Sequence, residues 1–190
     1  MTQIEISIER KLITYSDFWH AGGSLLEQGK KERKGSYFQF LGSIMFFAFC
    51  FEAFLNHLGE HLFDCWPEIE RKLSPRGKLG LICEKIQVTP EFGKLPWQIL
   101  PELLGVRDKV AHGKNETLRQ KQTVSEGQYD QMMYEFLIAD WQKAATSRNV
   151  TKIQKNLGEL LQLLHTAAQI KDDRLFGFGA QYRRASAVKN

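Results

Sequence analysis

Apolar positions in this chain recur every three to four residues, the period of an α-helix that buries one face. Over about residues 8–32, Leu12, Tyr15, Phe18, Trp19, Leu25 and Leu26 predict a first helix, with Gly22-Gly23 as a weak point inside it. From Ser36 to about Phe63 the chain is apolar on nearly every side. There Phe38, Leu41, Met45, Phe49 and Ala53 fall on helical steps, and Phe46, Phe47, Cys50 and Phe54 widen the face. Such a helix belongs at the centre of a bundle. Pro67 can open a short helix that ends before Ser74-Pro75. Gly77 to about Gln87 gives another, with Leu79, Ile82, Cys83 and Ile86 inward. Thr89 to Pro96 reads as a loop, and a helix starting near Pro101 reaches His112, where Gly113 offers a left-handed stop. Two further helices are expected at about Gln128–Ala145 and Val150–Ile170, the last with Ile153, Leu157, Leu160, Leu161, Leu164 and Ala168 as its buried stripe. No run reads as a strand. The expectation is one all-α domain over residues 1–173, a bundle of about five to seven helices, followed by a basic, flexible tail over residues 174–190.

Composition supports a packed core: of 190 residues, 43% are hydrophobic and 25% charged, and 13 Phe, 4 Trp and 5 Tyr supply bulk. The net charge of +4 favours an anionic partner only mildly. Basic residues cluster at Lys30, Lys31, Arg33 and Lys34 and again at Arg183 and Arg184, and both groups read as solvated. Cys50, Cys65 and Cys83 are odd in number and lack CxxC spacing, which indicates neither a disulfide framework nor a zinc knuckle. Glu5, Glu9, Arg10 and Lys11 precede any apolar run, so no signal peptide is expected. The uncharged stretch from Gly35 to Phe51 falls short of the roughly 20 apolar residues of a membrane span and runs into Glu52. The expected compartment is the cytoplasm, without membrane association.

Candidate chemistry concentrates in Arg107-Asp108-Lys109-Val110-Ala111-His112. Arg107 and His112 lie about 140° apart on an ideal helix, but a long Arg side chain can swing toward a shared pocket. Asp108 precedes His112 by one turn and can hydrogen-bond its imidazole. The helix end beside Gly113 also favours positive charge, and together these suit His112 to proton donation. Arg107 offers a permanent planar cation that matches phosphate oxygens. This combination fits phosphodiester cleavage.

The stretch Leu103–Gly113 resembles the signature of the HEPN superfamily (higher eukaryotes and prokaryotes nucleotide-binding domain): Arg, a polar residue, three more residues, then His and often Gly. Upstream, Phe51-Glu52-Ala53-Phe54-Leu55-Asn56 is similar to the family's apolar helix carrying an acidic residue and Asn. The resemblance spans roughly residues 10–170, and Asp108 stands where Asn is common. It implies a ribonuclease needing no metal or other cofactor, in which the RNA 2′-hydroxyl attacks the neighbouring phosphate and leaves a 2′,3′-cyclic phosphate. Carried over, Arg107 would stabilise phosphoryl charge, His112 would act as acid or base, and Asp108 would orient it. Glu52 and Asn56 would support the pocket, while Lys109 and Lys114 would contact RNA. The family typically pairs two such motifs across a homodimer, and a toxin or phage-defence role with an antitoxin partner is implied. A non-catalytic HEPN-like RNA-binding or protein-interaction domain is the alternative.

Other readings compete. His57-Leu58-Gly59-Glu60-His61 matches the HxxEH pattern of inverted zinc proteases, with Glu126 or Glu135 as a conceivable third ligand. Glu52 and Asn56 could equally be an internal hydrogen-bonded pair that fixes bundle register. His20 and His165 read as structural, and Trp19, Trp97 and Trp141 as core. Neither a Gly-rich phosphate loop nor a GxSxG elbow is present, which weakens NTPase, kinase and hydrolase readings.

Overall fold

A computed structural model describes residues 4–32, 34–133, 136–171 and 174–187. Arg33, Glu135 and the expected domain boundary after residue 173 lie outside these. The fold is an all-α helical bundle with one small two-stranded sheet. Its helices are α1 (Thr14–Lys31), α2 (Ser36–Leu62), α3 (Trp66–Ile69), α4 (Pro75–Lys85), α5 (Leu100–Ala111), α6 (Tyr129–Met133), α7 (Asp140–Lys143) and α8 (Ser147–Ala167). The central α2 packs against α1, α4, α5 and α8.

Being apolar all round, α2 conceals which of its faces is innermost. The buried stripe is Phe40, Ile44, Phe47, Phe51, Phe54, Leu55 and Leu58, whereas Phe38 of the expected stripe is 74% exposed. The neighbour makes the choice. The Phe47 and Phe40 rings lie over Gly22 and Gly29 of α1, where a Cβ would come within 2.9 and 2.6 Å of them. Gly22 is therefore a seat for an aromatic ring, and α1 runs unbroken through Gly22-Gly23. Ser43 Oγ donates to the Gly22 carbonyl at 2.7 Å, which satisfies a buried hydroxyl between the two helices. By length and composition α2 could also cross a membrane (mean hydropathy 1.8), and half of that apolar window is buried among the other helices.

Local chemistry sets the helix ends. Ser74 Oγ accepts from the Gly77 N–H at 3.1 Å ahead of Pro75, and Thr146 Oγ1 accepts from the Asn149 N–H at 3.3 Å ahead of α8. The expected buried stripe of α8 is confirmed in Ile153, Leu157, Leu160, Leu161 and Leu164. Gly113 is not left-handed, since the positive-φ glycines are Gly35 and Gly179, and α5 closes on His112 at φ −103°.

Two further expectations fail. The helix expected over 128–145 is split into α6 and α7, with residues 136–139 non-helical. Phe136-Leu137-Ile138 run exposed up to Ala139 and find no core face to pack a helix against. There the backbone is extended (ψ 154°), and its N–H donates to Gln142 Oε1 at 2.8 Å, opening a new turn. The C-terminal segment is not a loose tail where it is described. Phe176 stacks on Trp19 at 4.3 Å, and Phe178 stacks on His20 at 4.4 Å. Left-handed Gly179 (φ 75°) then turns the chain into strand β2 (Gln181–Ala187), antiparallel to β1 (Ile4–Arg10), with Ile6 opposite Ala185. The residues Ile4-Glu5-Ile6-Ser7-Ile8 do alternate, which the helical reading overlooked.

Candidate functional site

On α5, Leu100, Leu103, Leu104 and Val106 face the core, and Arg107 follows at the edge of that buried face. Its guanidinium reaches across to α2. Nη2 donates to Glu52 Oε2, and Nη1 donates to Asp108 Oδ1 at 2.8 Å. Partial burial alone would lower the Arg107 pKa, but the hydrogen bond it donates to Asp108 and the charge of Glu52 outweigh it and raise the value. The Arg107 side chain is 20% exposed, so the cation is tethered without being sealed off.

Glu52 serves a second cation. Lys78 of α4, whose side chain is only 5% exposed, places Nζ 3.7 Å from Glu52 Oε1 and donates to Asn56 Oδ1 at 2.7 Å. Glu52 and Asn56, one turn apart on α2, thus act together on a lysine from another helix. They are not bonded to each other in the way an internal register-fixing pair would be. The sequence reading missed Lys78. Its signal was position: one turn before the inward Ile82, it sits where an apolar residue was due.

His112 lies just beyond α5, with its backbone N–H on the Asp108 carbonyl at 3.1 Å and its ring exposed. Asp108 does not orient that ring. Its carboxylate turns to the permanent charge of Arg107 instead, and the His112 side chain makes no hydrogen bond among the described residues. Lys109 pairs with Glu116 at 3.0 Å. Beyond it, Lys114, Arg119 and Lys121 are exposed and carry no ion pair among the described residues. Lys114 was expected as an RNA contact; Arg119 and Lys121 follow it along the same non-helical stretch.

The HxxEH element lies elsewhere, beside α1. The His57 and His61 rings are 4.5 Å apart, and His61 Nδ1 meets the His57 carbonyl at 2.8 Å. Among the described residues no three or more His, Cys, Asp or Glu side chains gather to hold a metal. Glu126 belongs to a separate short turn, and Glu135 lies outside the described residues. His20 hydrogen-bonds the Phe176 carbonyl at 3.1 Å, His165 is buried, and Trp97 is core while Trp19 and Trp141 are half-buried against it. Burial pushes the Cys83 thiol up to about 11 and the Cys50 thiol higher still, so both stay protonated.

Compared with protein-family models, curated proteins and solved structures, the chain matches none.

Proposed function

We propose that this chain is a metal-independent endoribonuclease of the HEPN type, acting through Arg107 and His112. The observation that carries the reading is a guanidinium anchored by Glu52 on the same short helix that ends in an exposed imidazole. The cations Lys114, Arg119 and Lys121, without an ion pair among the described residues, follow it in the chain and suit a polyanion. In the proposed reaction the RNA 2′-oxygen bonds to the adjacent phosphorus, the bond to the 5′-oxygen breaks, and a 2′,3′-cyclic phosphate remains. A guanidinium has five N–H donors. The two given to Glu52 and Asp108 leave others for the phosphoryl oxygens as charge builds there. His112 protonates the departing 5′-oxygen, and a second copy's imidazole removes the 2′-hydroxyl proton.

A homodimer is therefore part of the proposal. Exposed Leu118, Phe136 and Ile138, beside a cavity of about 760 Å³ along α5, are apolar surface of the kind a second copy can cover. A toxin or phage-defence role, with an antitoxin as the controlling partner, belongs to the same reading.

The test is RNA cleavage in EDTA by wild-type protein and by His112→Ala. Activity indifferent to the chelator and lost in the variant is expected. Cleavage that survives in His112→Ala overturns the reading. A second reading, a non-catalytic RNA-binding or interaction domain, has one observation in its favour: Glu52 and Asp108 together place two negative charges on Arg107. RNA binding without cleavage by pure wild-type protein would select it.

A further inference from the structure

A cavity of about 320 Å³ lies between α4, the loop that follows it and α5, apart from the Arg107 network. Leu79, Leu100 and Leu104, all buried, form its floor, and Phe92 stands half-exposed at its side. Its volume falls at the lower end of the roughly 300–1,000 Å³ typical of small-molecule sites. The one ionised side chain on its lining is Arg76, which is exposed and has no hydrogen bond or ion pair among the described residues.

Gly80, inside α4, also lines the cavity. A glycine within a helix weakens it relative to alanine. Packing does not require one here, because a Cβ at this position would meet no atom within 4 Å. Gly80 is exposed, so a larger side chain there would have room to lie across the cavity mouth, which glycine leaves open. We propose that this cavity is a binding site for a small amphiphilic anion, an aliphatic or aromatic monocarboxylate. Its hydrocarbon part would lie against the leucines and Phe92, and its carboxylate would sit in the fork of Arg76. The apolar floor suits a hydrocarbon that water solvates poorly. The guanidinium matches a carboxylate with two parallel hydrogen bonds. A cationic amphiphile would meet like charge at the rim. The proposal does not depend on the nuclease reading.

Calorimetric titration of the full chain with octanoate, octan-1-ol and octylamine tests it. Octanoate should bind saturably, one per chain, about tenfold tighter than octan-1-ol, as a charge-assisted hydrogen bond implies, and octylamine should not bind. Arg76→Gln should bring octanoate down to the octan-1-ol level. Gly80→Leu should abolish octanoate binding while holding or raising the melting temperature. Absence of saturable octanoate binding to the wild type overturns the proposal. So does an octanoate preference that survives Arg76→Gln, or unchanged binding in Gly80→Leu. A Gly80→Leu chain that fails to fold would contradict the open space the site rests on, and the Arg76→Gln arm is read independently of it.

Discussion

Arg107 sits where two demands on one side chain meet. Glu52 needs its charge, because a carboxylate on an apolar helix is costly to leave unpaired, and the proposed chemistry needs the same charge turned toward a phosphate. Lys78 shares the load on Glu52, so the network of two carboxylates and two cations is neutral as a whole. Glu52→Ala would strand the nearly buried Lys78 and free Arg107. We expect a loss of about 3 kcal/mol in urea unfolding, the low end for a broken buried pair, because the Glu52 side chain is 27% exposed. A change near zero would show that the network is ornamental to the fold. Arg107→Ala is a mixed variant for the same reason, since it removes a tether of α5 together with a catalytic candidate. His112, whose side chain is exposed and makes no hydrogen bond among the described residues, is the cleaner probe.

At the scale of elements, close contact decides what propensity leaves open. The Trp66 ring lies directly on Gly59 of α2, where a Cβ would overlap it. Gly59→Ala should therefore destabilise the chain by about 1–3 kcal/mol through overpacking, measured as a lower melting temperature, even though alanine favours the helix. A stabilised variant would contradict this packing. The same principle explains what the sequence could show. The helices α4, α5 and α8 were legible because their apolar stripes are one-sided. The inner face of α2 was not, because it depends on glycines in another helix. Arg107, Glu52 and His112 were legible as residue types on helices, but Asp108's choice of Arg107 over His112 depends on side-chain reach that spacing does not specify. Lys78 showed only as a polar residue at an inward position, because its partners lie 22 and 26 positions upstream.

For the whole molecule, the ribbon of β1 and β2 ties the two ends of the described chain together while standing outside the core. Every residue of β1 is exposed, including Ile4, Ile6 and Ile8. A two-stranded ribbon alone is marginal in water. Deleting residues 1–10 should accordingly leave the helical far-UV signal intact and lower the melting temperature by only a few degrees. A collapse of the helical signal would mean that the ribbon holds the bundle closed. The strand pairing eluded the sequence because β2, Gln181-Tyr182-Arg183-Arg184-Ala185, carries little apolar alternation of its own and becomes a strand only opposite β1.

On the proposed mechanism, Arg107 and His112 turn an RNA 2′-hydroxyl on its own phosphate. The most direct measurement is cleavage in EDTA of a single-stranded RNA beside a DNA of the same sequence, by pure wild-type protein and by His112→Ala. The wild type should cut RNA, leave 2′,3′-cyclic phosphate ends and spare the DNA, while His112→Ala should cut neither and melt at the wild-type temperature. Equal cutting of the DNA, or RNA left intact by the wild type, would contradict this mechanism.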